Sequence, residues 1–253
     1  MKTVAVYSTK GGVGKTTAAV NLAWEASRDY RVLLWDLDPQ GAATYLLEVK
    51  AKVRGGVDAL IRGKSEMSHA IRATAYPNLD VLPADEGYKD LDLVFDAAKK
   101  PTQRIAKVLE TVSDEYDVVI LDCPPGASLV ADNALHAADL VVLPLVPSPL
   151  SLRSLDQVNA IVAASTRPAQ VLAFLSMVDR RKLSHRTAAE LLPQEHREVV
   201  DFVVPSSVMI ERMGSERAPV GIYAGGSEAA SAFARLWALV RSAQTGEQTA
   251  QAS

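Results

Sequence analysis

Directly after a short apolar run, Val4–Val6, the chain reads Ser8-Thr9-Lys10-Gly11-Gly12-Val13-Gly14-Lys15-Thr16-Thr17 and continues as an amphipathic helix. A strand, a glycine loop and a helix in that order constrain the fold more than any other feature of the sequence. Glycines let the backbone curl with its N–H groups pointing inward, and the following helix adds its positive N-terminal end. Such a concavity binds phosphate groups. Gly11, Gly12, Val13, Gly14 and Thr17 form the cradle, Lys15 is placed to contact β- and γ-phosphates, and the Thr16 hydroxyl to ligate Mg²⁺. Thr9 stands where the usual pattern G-x-x-x-x-G-K-T has its first glycine. In exchange the loop carries a second lysine, Lys10. It would be redundant inside one subunit, so it reads as a group that reaches a partner's nucleotide across a dimer interface.

Around this loop the chain alternates apolar runs with helical patterns. Val4–Val6, Val32–Trp35, Val118–Leu121, Leu140–Leu143, Val171–Leu175 and Phe202–Val204 are continuously hydrophobic, as strands buried on both faces must be. Ile105, Val108, Leu109 and Val112 follow helical spacing, as do Leu152, Leu155, Val158 and Val162. The expected fold is therefore α/β: one domain over residues 1–242 with a mostly parallel sheet and helices on both faces, and its ligand site at the strand C-terminal ends. Residues 48–75 carry the least pattern and are expected to form short surface helices. Residues 243–253 are polar and are expected to be a disordered tail.

With 253 residues, 48% of them hydrophobic, the chain can bury a full core without metals or disulfides. The lone Cys123 excludes an intrachain disulfide and a zinc site built on several thiolates, and it reads as a small buried filler. A net charge of -3 argues against coating nucleic acid with the whole surface and leaves room for a local basic patch. The most apolar later stretch, Leu140–Leu150, is interrupted by Pro144, Pro147 and Pro149 and is too short for a membrane span. A cytoplasmic location is expected.

The loop KGGVGKTT resembles the deviant phosphate-binding motif of the ParA/MinD group of P-loop ATPases. Four further segments resemble the same group in order: VLLWDLDPQG at 32–41, YDVVILDCPPG at 116–126, FLSMVDRRKLS at 174–184 and FVVPSSVMIERMGSERAPVGIY at 202–223. The resemblance implies a P-loop NTPase fold and an ATPase that uses ATP and Mg²⁺. It assigns Asp38 to the attacking water, Asp122 to Mg²⁺, Asp36 to the neighbourhood of the metal and Pro205 to the adenine side. It also implies a homodimer in the ATP state, nonspecific binding to nucleoid DNA, and an adaptor of ParB or McdB type that stimulates hydrolysis. The cargo would be a plasmid, a chromosome or a protein body such as a carboxysome.

Arg180, Arg181, Lys182 and Arg186 are the expected DNA contacts, in a stretch without an acid. Arginines that many chromosomal ParA proteins carry after the residue matching Pro205 are replaced here by Ser206-Ser207-Val208-Met209. The alternative is a MinD-like ATPase whose last helix lies on a membrane through Phe233, Leu236, Trp237 and Val240. The polar tail, without Lys or Arg, favours core packing for that stripe, and no stable membrane association is expected.

Overall fold

Eight strands, β1 (Lys2–Val6), β2 (Val32–Asp36), β3 (Arg72–Ala73), β4 (Leu79–Leu82), β5 (Val118–Asp122), β6 (Leu140–Leu145), β7 (Gln170–Val178) and β8 (Val199–Pro205), form one sheet in a computed structural model. The structure describes residues 1–51, 56–97, 100–165 and 167–245. The strand order is β3-β4-β2-β5-β1-β6-β7-β8. Every pairing is parallel except β3 with β4.

Among the described residues, α-helical segments accompany the sheet: α1 (Lys15–Ser27), α2 (Ala42–Leu46), α3 (Val57–Ile61), α4 (Leu91–Asp96), α5 (Arg104–Glu110), α6 (Leu129–Ala137), α7 (Pro149–Ala163), α8 (Leu183–Glu195), α9 (Val208–Glu211), α10 (Met213–Glu216), α11 (Val220–Tyr223) and α12 (Glu228–Thr245). Side chains alternate between sheet faces along each strand. Val4, Val6, Val32, Leu34, Val118 and Ile120 therefore pack with α1 and α12. Ala5, Leu33, Trp35, Val119 and Leu121 pack with α4, α5, α6 and α7 on the other face. Both faces of the central strands are covered, which is why their sequences read as unbroken apolar runs.

Two expectations change. The segment 48–75, of which 52–55 lie outside the described residues, does form short helices, but they are more than surface cover: Val57, Leu60, Ile61, Met67 and Ala70 are buried in the second of these cores. Val57, Leu60 and Ile61 keep helical spacing, but α3 has only five residues and Met67 and Ala70 belong to a separate turn, so the pattern is too short to stand out. The strands β3 and β4 are additions to the expected set; Asp80 interrupts the apolar character of β4 and accepts a hydrogen bond from Tyr116 Oη at 2.8 Å. At the other end, α12 runs to Thr245. The rest of the expected tail, 246–253, lies outside the described residues.

The C-terminal segment is pinned to α1 by two residues. Asn21, 1% exposed, accepts the Val220 N–H at 2.8 Å and donates from Nδ2 to the Thr17 carbonyl and to Met213 Sδ. Gly221 lies flat against the Trp24 ring, and a Cβ there would collide with it. Alanine would normally favour a helix at this position, but overpacking against a rigid indole costs about 1–3 kcal/mol. Gly221→Ala should lower the melting temperature by about 3–9 °C. An unchanged melting curve would mean that the half-buried indole gives way outward.

Candidate functional site

Because the strands are parallel, their C-terminal ends share one edge, and the predicted phosphate, metal and base residues collect there. The register places Asp122 beside both Val6 and Asp36 on neighbouring strands. The loop from Ser8 to Gly14 follows β1 directly. Gly12 and Gly14 have φ of 72° and 93°, a region that side chains with a Cβ rarely enter. Gly14 caps α1 without any side-chain hydrogen bond, so the first N–H groups of that helix remain available for an anion. Gly11 and Gly12 are exposed, with no heavy atom near their Cα hydrogens. Val13 is buried under the loop.

Thr9, the departure from the usual pattern, has a structural partner: its hydroxyl is 2.6 Å from Ser154 Oγ on α7. A side chain at this position thus ties the mouth of the loop to a neighbouring helix. Lys15 is 7% exposed and bends back so that Nζ donates to the Lys10 carbonyl at 3.1 Å. Burial lowers its pKa, opposed by the charges of Asp122 and Asp38. Lys10 itself is only partly buried, and its amide donates to Ser8 Oγ.

Three carboxylates face this loop with different degrees of satisfaction. Asp122 is fully buried, and neither carboxylate oxygen has a well-formed hydrogen bond. The Thr16 hydroxyl and Lys15 lie near enough to favour its charge, but desolvation and the neighbouring Asp36 hold its pKa well above the ordinary carboxylate range. An anionic group left without partners at this depth is costly unless a cation joins it. Thr16 and Asp122 therefore fit Mg²⁺, which takes one or two protein groups and completes its shell with water and phosphate oxygens.

Asp36, also fully buried, is by contrast saturated. One oxygen accepts from the Thr44 amide at 2.8 Å and the Thr44 hydroxyl at 2.7 Å, the other from the Asp38 amide at 3.3 Å. Burial pushes its pKa up to about 6. Asp38 is partly exposed and accepts the Gln40 N–H at 2.9 Å through Oδ1.

Pro205 ends β8 and lines a small cavity of about 60 Å³ together with Gly14, Thr17, Ser176 and Ser207. A larger cavity of about 670 Å³ lies between α3 and α5, and none of the loop residues borders it. Arg180, Arg181 and Lys182 occupy the turn between β7 and α8, and Arg186 the first turn of α8; a hydrogen bond from the Asp179 amide to buried His185 joins the two. Two of the four are paired: Arg180 with Glu228 at 3.0 Å and Arg181 with Asp179 at 2.9 Å. Arg212 and Arg217 are occupied as well, the first with Glu216 and the Tyr223 ring, the second with Glu48 and the Tyr45 ring. Phe233, Leu236, Trp237 and Val240 are buried against the sheet, so the last helix uses its apolar stripe for the core. Among the described residues no helix is long and apolar enough to cross a membrane.

Residues 1–170 match the AAA_31 family, an AAA domain. The chain is 33% identical to the sporulation initiation inhibitor protein Soj of Bacillus subtilis over 243 residues, covering 93% of this chain and 96% of that protein. It is 32% identical to the chromosome partitioning protein ParA of Caulobacter vibrioides over 248 residues, 93% of each. The chain belongs to the ParA/MinD family of P-loop ATPases. Solved structures agree on the fold of this ParA-type chain. The Cyanothece McdA–ATP complex superposes with a TM-score of 0.83 at 20% identity over 99% of each chain. Cobyrinic acid a,c-diamide synthase from Mycobacterium smegmatis with an ATP analogue and magnesium gives 0.78 at 26% identity over 97% of each chain.

Several site residues of this ParA-type chain carry no signal in the sequence. Ser176 approaches Gly14 so closely that a Cβ on the glycine would sit 3.0 Å from its Oγ. Tyr7 donates its hydroxyl proton to the Gly126 carbonyl at 3.1 Å, fixing the turn after β5, and burial raises its pKa to about 12. Thr44 holds Asp36. None of the three lies in a run with a readable period, and only their long-range partners reveal them.

Proposed function

We propose that this ParA-type ATPase hydrolyses ATP with Mg²⁺, dimerises around ATP, binds nonspecific DNA as that dimer, and positions a cargo through an adaptor of ParB or McdB type. The observation that carries the reading is Asp122: a fully buried carboxylate with no well-formed hydrogen bond, beside the Thr16 hydroxyl and below the glycine loop. The match to partition proteins over nearly the full chain supports the positioning role.

The loop amides of residues 11–17 would hold the phosphates, and Lys15 would exchange the Lys10 carbonyl for β- and γ-phosphate oxygens. Mg²⁺, when bound, neutralises charge on those oxygens, with Thr16 and Asp122 as its protein partners and Asp36 behind them. Asp38 would orient a water in line with the γ-phosphorus. As the water oxygen bonds to phosphorus the bond to the β–γ bridging oxygen breaks, giving ADP and phosphate. This chemistry needs positioning and charge more than a strong base. Lys10 would serve the partner's nucleotide, and Pro205 with Ser207 would border the adenine.

For DNA, the exposed pairs of Arg180 and Arg181 contribute little to stability and exchange readily for phosphates. A few contacts per subunit, doubled in the dimer, make binding weak, salt-sensitive and switchable. The buried stripe of α12 disfavours the MinD-like membrane reading.

The test is binding to random-sequence DNA at low salt with ATP, with ADP and without nucleotide, beside a Lys10→Ala variant. Binding with ATP only, lost in Lys10→Ala, is the expected result. No binding under any condition would sink the DNA step, and recovery of the protein on anionic liposomes with ATP would replace it by the membrane reading.

A further inference from the structure

We propose that Thr44 is a positioning residue for turnover, holding the water-orienting Asp38 in place through Asp36; the proposal rests on the ATPase reading above. Thr44 is 1% exposed and lies in α2, away from the phosphate loop in sequence. Its amide and its hydroxyl both donate to one oxygen of Asp36, at 2.8 and 2.7 Å. The same hydroxyl oxygen accepts the Ala84 N–H at 2.8 Å, just beyond the end of β4. The other Asp36 oxygen receives the Asp38 amide at 3.3 Å. One side chain thus joins three things: the end of β2, the start of α2 and the loop leaving β4.

Hydrogen bonds within the segment between Asp36 and Thr44 fold it back on itself. Asp38 O accepts the Gly41 N–H at 2.9 Å, and Asp38 Oδ1 accepts the Gln40 N–H at 2.9 Å. Gly41 has φ of 66°, and a Cβ there would press on Ala84 Cβ at 3.3 Å. The loop that presents Asp38 is therefore a short arch held by its own hydrogen bonds. Asp36 is its keystone, and Thr44 is the only side-chain donor to that keystone among the described residues.

The arrangement is costly for stability alone. Taking a carboxylate out of water carries a penalty that neutral donors offset only in part. It makes sense where a neighbouring group must be held to a fraction of an ångström, since a misplacement of about 1 Å costs about 100-fold in rate. Loss of the Thr44 hydroxyl removes one of the two short bonds to Asp36 and the support of Ala84, and frees the arch to relax. Phosphate binding uses other residues, so affinity for ATP is spared.

The experiment compares steady-state ATP hydrolysis by the wild-type chain, Thr44→Val and Thr44→Ser. Thr44→Val should lose at least ~10-fold in kcat with KM for ATP within ~3-fold, and Thr44→Ser should return to within ~3-fold of wild type, because only the valine lacks the hydroxyl. Wild-type kcat in Thr44→Val, or equal losses in the serine variant, would overturn the proposal. Absence of turnover in the wild type itself would instead sink the ATPase reading. Amide hydrogen exchange on the wild type covers the case in which the valine variant does not fold. The Asp38, Thr44 and Ala84 amides should share one protection factor, with exchange at least ~10-fold slower than at the exposed Gly11 amide. Three unrelated protection factors would overturn the linkage.

Discussion

Lys15→Ala should reduce ATP affinity at least ~100-fold while leaving the fold intact, read by titration calorimetry beside a thermal melt. A hydrogen-bonded charge contact to phosphate is worth about 1.5–3 kcal/mol in ordinary settings and more at a buried, convergent site. Lys15 is nearly buried and already desolvated, so little further desolvation is needed when it meets phosphate. Its Nζ donates to a carbonyl of its own loop, at 3.1 Å. Removing the side chain frees one backbone acceptor near solvent, so the melting temperature should change little. ATP affinity within threefold of wild type would show that the loop amides alone carry binding.

Asp122→Asn should abolish turnover and at the same time stabilise the protein in the absence of nucleotide. The folded-state pKa of Asp122 is raised by burial, with Asp36 adding repulsion. A carboxylate with a raised folded pKa destabilises the native state when ionised, and stability returns as pH falls through that pKa toward the unfolded value. Neutralising it at neutral pH should therefore give about 1–2 kcal/mol, or about 2–8 °C in melting temperature. In the wild type, melting temperature should rise as pH falls through about 6, the value set by Asp36, with the raised pKa of Asp122 acting in the same direction. That slope should shrink in Asp122→Asn. A site that keeps an unsatisfied charge for its metal is a familiar exchange of stability for function. A variant less stable than wild type would mean that Thr16 and Lys15 already satisfy the carboxylate.

The central strands are legible in the sequence because burial on both faces leaves only apolar residues. The phosphate loop is legible because a lysine behind closely spaced glycines, between a strand and a helix, suits few roles besides anion binding. The order β3-β4-β2 is not legible, because Asp80 breaks the run in β4 and β3 has two residues. Asp36 and Asp122 stand out as acids ending apolar runs, and the register places them side by side. Their different fates, one saturated and one bare, depend on Thr44, which no sequence period singles out. The basic turn reads as a run without acids, yet Asp179 precedes it directly and Glu228 reaches Arg180 from the start of α12. Charge pairs made across the fold cannot be counted along the chain.

The central claim, an ATP-hydrolysing site in which Asp38 acts on the water and not on binding, is tested most directly by phosphate release from Mg²⁺–ATP by wild type and Asp38→Ala at matched ATP occupancy. The account predicts slow but measurable release by the wild type and at least a ~100-fold fall in Asp38→Ala, with ATP affinity unchanged and the variant held in its DNA-bound state. Release by Asp38→Ala at the wild-type rate would contradict it.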